Sequence, residues 1–570
     1  MSALHAVRNV QRVAIVGMGS RGLSILEQLI GLAHRNPQRR LLVEVFDPQT
    51  PGSGLHRPEQ PDYLMLNTMA GQISAFSAAF PASLPDQPAG LTFLQWCATH
   101  NVRLDERGHL DAAGRPVEFG DFAPRRLLGR YLQDSYRYLL ALCPAHVQVR
   151  HHRESIVGCC PSAGEPGFQL TCNNGQQMAV DGVFLTTGHA PRECEAVTGR
   201  RVAIEGLGLT AMDTLAELTQ GRGGRYVRDN SVCGWRYQPS GREPLIYLFS
   251  RSGLPFHARP QWQPDQPAPA SPRFFTPAAI RALRRESLDG RLDFVKQVLP
   301  LIEDEMRSRC GSFDPKIHLQ IEPWQGEPGA YEQWFRQWIE ADLLRSRQGT
   351  AASPLTQALE VWRDCRDVLR LAVDHNGLTD ASIQAFYNQW AALGNRLVGG
   401  PQQERYEDLL ALMDAGIVRV LAPLQIHGPG ITFDALIKAR TAHSGLSGGR
   451  SALLDDLLRQ GRVRRAHPYP ADGIEVDRQN RAIGSDGRVE PRLWVLGPTV
   501  EGSTFYNHYV PTPDPACQAL LQARSAVESC LAALGGRPRL RTTHHLTEFP
   551  YRNQLKPYPK GSSPCPRSRC

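Results

Sequence analysis

Two segments of the chain share one construction, and together they restrict the fold more than anything else in the sequence. VAIVGMGSRG starts at Val13 and RVAIEGLGLTAMD at Arg201; in each, an apolar strand (Val13 to Val16, Val202 to Ile204) runs into glycines and then into a helix. Glycine lets the backbone turn sharply and approach a pyrophosphate, and the unpaired N–H groups at the helix start favour negative charge. Gly17, Gly19 and Gly22, with Ser20 and Arg21 among them, keep the full GxGxxG spacing. Gly206 and Gly208, followed by Leu209 and Thr210, carry Ala211 at the third position, which still permits close packing of helix on strand. One such turn is weak evidence. Two predict an α/β chain with two Rossmann-like dinucleotide-binding domains, and the usual pair of dinucleotides is a flavin and a nicotinamide.

The flanking segments sharpen this. LLVEVFD is a buried strand ending in Asp47, where a short carboxylate can accept hydrogen bonds from adenosine ribose hydroxyls; the competing reading is that Asp47 caps the DPQTPG turn. Val183, Phe184 and Leu185 form a strand that breaks at Thr186, Thr187 and Gly188, where the chain can pass close to a bound cofactor. His189 follows; proton transfer beside a flavin and a backbone-satisfied turn residue are both open, and the sequence assigns it no catalytic role. After the second turn, PLIYLFSRSG ends in Ser250 and Arg251, a hydroxyl and a guanidinium suited to the 2′-phosphate of NADPH; the alternative is an exposed arginine after a strand.

From 272 to 425 the periodicity becomes helical, and Trp362, Phe386, Tyr387 and Trp390 fit the buried stripe. Strand-like pieces resume with RLWVLGPTVEG, before the final helix PACQALLQARSAVESCLAAL. The reading is a discontinuous FAD-binding domain (1–198 with 426–535), an NAD(P)H-binding domain (199–271), a helical insertion (272–425) that caps the substrate region, and a tail from 536. The positive end of the last helix is expected to face the crevice, and Gly497, Gly502 and the polar group Glu501, Ser503, Thr504, Tyr506, Asn507 and His508 lie on the segment before it.

Charge excludes one class of partner. The net charge of +8 resides almost wholly in residues 537–570, which carry eight Lys/Arg and the acid Glu548, so the body is near neutrality and nucleic acid is not expected. The Pro-rich tail reads as disordered. Thirteen cysteines without a CxxC pair read as reduced thiols and disfavour both a metal site and the disulfide-reductase branch of flavoenzymes. No long apolar run and no leader are seen, so no membrane association and a cytoplasmic location are expected.

The combination of GMGSRGLSILEQL, PGSGL with LMLNTMAGQISAF, FAPRRLLGRYL, TTGHAP, IEGLGLTAMD, PSGREP, SRSGLP and LGPTVEG resembles the bacterial FAD/NAD(P)-binding protein family of the YdhS type, over nearly all of residues 10–535. That family is similar to class B flavin monooxygenases, including N-hydroxylating ones, and some members oxidise the amine of aspartate to nitrosuccinate in natural-product biosynthesis. The resemblance implies FAD at the first turn with Asp47, the LNTMAGQ loop (Asn67, Met69, Gln72) beside the isoalloxazine, and NADPH at the second turn with Arg251. It implies an NADPH-dependent monooxygenase that oxygenates the amine of a small amino acid with O2 through a flavin hydroperoxide, needing no protein nucleophile. No catalytic residue is assigned. The family pattern is broken at Pro498, after Gly497, where an Asp often meets the ribityl chain. A flavin-dependent dehydrogenase or reductase and a non-catalytic redox sensor remain open, as does a homo-oligomer.

Overall fold

The computed structural model describes residues 10–535 except 78–89, 165, 189–199, 232, 267–268, 424, 428–430, 440–445 and 447–450. His189 and the tail from 536 lie outside the described residues.

Val13, Ala14 and Ile15 are buried, as a strand covered on both faces must be. Val10–Val16 is a central strand of a six-stranded sheet in the spatial order Arg481–Ile483, Val489–Val495, Gly182–Leu185, Val10–Val16, Arg40–Phe46, Val147–His152. Neighbours are parallel except at the Arg481–Ile483 edge. The chain therefore leaves this sheet after Leu185 and re-enters it at Arg481, and Val489–Val495 is the return expected from RLWVLGP. Helix Ser20–His34 contributes Leu23, Leu26 and Leu29 to the core on one face, alongside Ala523, Val527 and Cys530 of the last helix, Gln518–Ala533. Each large aliphatic side chain buried there contributes about 1.5–3 kcal/mol. An antiparallel meander, Ile156–Pro161, Phe168–Cys172 and Gln177–Val180, interrupts the parallel order, and its second turn is at Asn174-Gly175, with Gly175 at φ +83°.

The second sheet is wholly parallel, in the order Val418–Val420, Leu245–Phe249, Arg201–Glu205, Ala435–Lys438. Two of its strands come from beyond residue 271, so the sheet around the second turn extends past the expected boundaries at 271 and 426. VRV and ALIK are three- and four-residue strands, too short to display a period of their own.

The helical span divides by what it buries. Tyr331, Phe335 and Ile339 of helix Tyr331–Arg347, with Leu409 and Leu410 of Gln403–Asp414, cover Val202, Ile204, Ile246 and Leu248 of the second sheet. The other helices build their own core around Ile302, Met306, Trp362, Leu369, Phe386 and Trp390. Tyr387 stands at its edge, half-buried, and Phe505 from the returning segment enters it. Among the described residues, no helix is long and apolar enough to cross a membrane.

Candidate dinucleotide sites

The three glycines of the first turn do three different things. Gly17 has φ +95°, and a Cβ there would lie 3.0 Å from the Thr186 carbonyl oxygen. Gly22 lets the helix sit on the strand, since its Cβ would be 2.4 Å from the Gly17 oxygen. Gly19 meets only Gly54 Cα at 3.5 Å, so its face is otherwise open.

Both helices after the glycine turns start without a side-chain cap. Gly19 (φ −89°, ψ −159°) and Gly208 (φ −91°, ψ −166°) adopt nearly one conformation, and neither helix receives a capping hydrogen bond. Elsewhere Thr92, Thr276, Ser353 and Ser451 each accept a backbone N–H at their helix starts, while other helices, such as Arg125–Ala141 and Gln403–Asp414, also start without a side-chain cap. Uncapped N–H groups at these two positions leave an anion to complete them.

Asp47 is buried and does two jobs: one carboxylate oxygen accepts the Met18 N–H at 2.7 Å and the other the Gln49 N–H at 2.8 Å. It thus caps its own turn and also ties down the middle of the glycine turn, with lone pairs remaining for a ribose. Burial raises its pKa, which the two N–H bonds oppose. Gly52 N–H donates to Met18 O at 2.6 Å, laying the PGSGL loop across the turn.

The carboxyl ends of three adjacent parallel strands meet at this place, with Val16 and Val495 both in register with Leu185. Thr186 Oγ1 donates to Gly17 O at 2.6 Å and is structural. Around it, Thr187 Oγ1, Thr499 Oγ1 and Arg21 Nη1 are buried with no hydrogen-bond partner among the described residues. Buried polar atoms are nearly always satisfied, so three orphans at the carboxyl ends of a parallel sheet fit a polar dinucleotide lying there. Gly188 is exposed with nothing near its α-carbon face, and Gly497, at φ +92°, places its Cβ direction 3.1 Å from Arg21 Cγ. Gly502 faces the Ala471 carbonyl instead, 2.1 Å from where its Cβ would be, so its small size serves loop packing. Thr499 was not singled out from the sequence, although a hydroxyl two residues past a strand-ending glycine was the available signal.

Asn67, Met69 and Gln72 are half-buried, and their side chains make no hydrogen bond among the described residues. Their backbone is fixed by Leu66 N–H to Ala123 O (2.9 Å) and Gly71 N–H to Phe119 O (3.0 Å). Ser74 N–H to Pro511 O (3.0 Å) joins this loop to the returning segment.

At the second turn, Gly206 has φ +144° and a Cβ there would be 2.6 Å from Ala439 O, while Gly208 faces the Phe256 ring at 3.2 Å. Ala211 is fully buried. Glu205 and Phe249 are in register, so Gly206–Gly208 and Ser250–Arg251 leave the same end of the sheet. Leu209 and Thr210 open the helix, both half-buried. Ser250 Oγ accepts the Gly253 N–H at 3.0 Å. Arg251 is exposed and bonded to none of the described residues.

Residues 14–190 match the model of a family described as FAD-NAD(P)-binding. This segment is an FAD-NAD(P)-binding domain. The chain is also similar to an L-aspartate N-monooxygenase (nitrosuccinate-forming) of Streptomyces cremeus, 28% identical with 86% of this chain and 90% of that protein covered. A nitrosuccinic acid synthase of Aspergillus oryzae is 28% identical, with 86% and 88% covered. An L-aspartate N-monooxygenase (nitrosuccinate-forming) of Streptomyces davaonensis is 29% identical, with 86% and 92% covered. Among solved structures, an ornithine hydroxylase from Pseudomonas aeruginosa overlaps with a TM-score of 0.44 at 13% identity, covering 92% of this chain and 100% of that one. An open form of cyclohexanone monooxygenase overlaps with a TM-score of 0.41 at 12% identity, covering 93% and 89%.

Over the FAD-NAD(P)-binding domain lies the loop from Gly497 to Val510, organised by Glu501. Its carboxylate accepts the N–H groups of Tyr506 and Asn507 (both 2.9 Å), Asn507 Nδ2 (3.1 Å) and the Tyr387 hydroxyl (3.2 Å). His508 approaches it at 3.5 Å. Ser503 Oγ is bonded to Val476 and Thr504 Oγ1 to Asn507, so most of the polar group predicted here holds the loop's own shape. Arg21 Nη2 donates to Asn507 O at 3.2 Å and closes the loop onto the first glycine turn.

Proposed function

We propose that the protein is an FAD- and NADPH-dependent monooxygenase that oxygenates the amine of an aspartate-like amino acid, each first turnover taking R–NH2, O2, NADPH and H+ to R–NHOH, NADP+ and water. The observation that carries this is the reach of the likeness: it spans 86% of this chain and 90% of the Streptomyces cremeus L-aspartate N-monooxygenase, far beyond residues 14–190. The two uncapped glycine turns support two dinucleotides.

We assign FAD to Gly17, Gly19, Ser20, Arg21, Gly22 and Asp47 with Thr187, Gly188, Gly497 and Thr499, and place Asn67, Met69 and Gln72 beside its ring system. We assign NADPH to Gly206, Gly208, Leu209 and Thr210 with Ser250 and Arg251. The corresponding domains are a flavin part (10–188 with 451–535), a nicotinamide part (200–260 with 331–347 and 403–439) and the remaining helices between them. Bound FAD, reduced by NADPH, supplies the activated oxygen. The chain's own work is positional. Helix starts hold the phosphates, Arg21 and the orphaned threonine hydroxyls donate to cofactor oxygens, and the Glu501-braced loop keeps water from that end of the site.

The test is purified, FAD-loaded protein assayed for NADPH oxidation and O2 uptake with and without L-aspartate, with the product followed by mass spectrometry. The reading requires aspartate-dependent uptake matched by N-oxygenated product. Oxygen-independent NADPH oxidation by an added acceptor, with no such product, replaces it with a reductase.

A further inference from the structure

Four arginines from three parts of the chain converge beside the Glu501 loop. Arg363, Arg366 and Arg370 follow one another at helical spacing across the junction of helices Pro354–Asp364 and Arg366–Val373, and the buried Arg259 joins them from the second-sheet side. Three are committed. Arg363 bonds Glu360 and the Val398 carbonyl; Arg259 bonds the same carbonyl at 3.2 Å; Arg370 bonds Asp367 at 2.5 Å, Phe505 O at 3.1 Å and Tyr506 O at 3.0 Å.

Arg366 is the exception. Its guanidinium carbon stands 3.7 Å from the centre of the Tyr506 ring, and it makes no hydrogen bond and no ion pair among the described residues. The nearby carboxylates are taken: Glu360 by Arg363, Asp367 by Arg370, Glu501 by the loop amides, and Asp374 by the Phe505 N–H at 2.8 Å. Arg366 and Tyr506 are both half-buried, so one side of the pair stays reachable. Tyr506 is held at φ +61°, an unusual conformation for a tyrosine, by the hydrogen bonds of Glu501 and Arg370 to its backbone.

Burial weighs on two of the four, Arg366 and Arg259, while Arg370, despite its burial, is held above its ordinary value by Tyr509, Asp367 and Asp374. Burial lowers the Arg366 pKa, and the charges of Arg363 and Arg370 add to that against Tyr506 and Asp367; Arg259 is brought down to about 9 chiefly by burial and then by Arg363. Tyr506 is pulled below its ordinary value, most by Arg366. Such a cluster attracts an anion.

The same loop ties the cluster to the first glycine turn. Tyr509 has Arg21 4.7 Å from its ring centre on one account and Arg370 5.2 Å on the other, and Arg21 itself carries the buried unpartnered Nη1.

Resting on the monooxygenase reading above, we propose that Arg366, stacked on Tyr506 and backed by Arg363 and Arg259, is the carboxylate-binding residue for an acidic amino-acid substrate. A planar guanidinium with free donors matches a carboxylate in bidentate fashion, and stacking on the ring fixes its plane. An acidic amino acid held there by its carboxylates keeps its amine as the group without a partner in the cluster, free to face the flavin site.

The experiment uses full-length, FAD-loaded protein in four forms: wild type, Arg366→Gln, Arg366→Lys and, as a matched charge loss at an exposed position, Arg307→Gln. Four quantities are read: the KM for L-aspartate, the inhibition constant of succinate, the KM for NADPH and the FAD content. Loss of a charge-assisted pair is expected to raise the aspartate KM and the succinate constant about 10- to 100-fold in Arg366→Gln, with partial recovery in Arg366→Lys. FAD content and the NADPH KM stay at wild-type values, and Arg307→Gln changes none of the four. Aspartate KM and succinate constant within about twofold of wild type in Arg366→Gln overturn the proposal while leaving the monooxygenase reading intact. A rise in the NADPH KM alone assigns the cluster to a nucleotide phosphate and also overturns it. If wild type binds succinate through Arg366 but does not oxygenate aspartate, the substrate reading falls and the carboxylate site stands; no succinate binding to wild type removes the site. Should Arg366→Gln fail to retain FAD, the same split in Arg366→Lys decides.

Discussion

The Asp47 carboxylate accepts the Met18 N–H at 2.7 Å, fastening the residue that closes the second strand to the middle of the first glycine turn. The acid is therefore part of the turn's construction before any ribose reaches it. Asp47→Ala should lower both FAD retention and the stability of the unliganded protein, by about 1–3 kcal/mol for the two amides left without their acceptor. Thermal melts with and without added FAD check this; an unchanged melt of the FAD-free form would sink the structural half.

Gly19→Ala and Gly22→Ala should separate binding from folding. A Cβ on Gly19 meets only Gly54 Cα at 3.5 Å, an ordinary contact, whereas on Gly22 it meets the Gly17 carbonyl oxygen at 2.4 Å, where backbone has to move. Gly19→Ala is expected to keep its far-ultraviolet dichroism and melting point while its FAD content drops. Gly22→Ala should lose melting temperature as well.

Arg251 is exposed and bonds none of the described residues, so replacing it carries no structural cost. Arg251→Gln is expected to raise the KM for NADPH about 10- to 100-fold, the range for a charge-assisted phosphate contact, while leaving that for NADH unchanged. Steady-state kinetics with both nucleotides decide it, and an equal rise for both would remove the 2′-phosphate role.

Asp374 gives a pH signature. Burial pushes its carboxyl up to about 7 from an ordinary 3.8, helped by Glu501 and opposed by Arg370 and the Phe505 N–H. The native state therefore holds a proton that the unfolded chain releases. The group's contribution to stability is complete below its unfolded value, falls as the pH rises through its folded value, and is level above that. Asp374→Asn keeps an oxygen for Phe505 and removes the titration. Its melting point relative to wild type should climb between about pH 4 and about pH 7 and level off above that; a difference that stays flat contradicts the assignment.

Much of this was legible in the sequence because glycine turns, alternating strands and the Asn174-Gly175 hairpin are local constructions. Gly17 to Gly22 and Gly206 to Gly208 needed only their neighbours to be recognised. What stayed hidden depends on distant partners. ALIK reads as nothing in particular until Val202–Glu205 stands beside it. The stripe of Tyr331, Phe335 and Ile339 looks like that of Trp362 and Leu369, yet the first covers a sheet and the second a helical core, because a period reports that a face is buried and not against what. The arginines at 363, 366 and 370 carried a visible signal, three cations on one helical face, but their meaning required Tyr506 and Arg259 from elsewhere in the chain.

Both sheets are completed by late-arriving pieces: Gly182–Leu185 has Val489–Val495 at its side, and Arg201–Glu205 has Ala435–Lys438. Neither half can be lifted out as one contiguous cassette. A graft that exchanged the nicotinamide half with another enzyme would have to be cut at six places and would still part Val202 from Ala435 if it stopped at residue 271. Ribosomal synthesis meets the same arithmetic, since both sheets stay open at one side until most of the polypeptide has emerged.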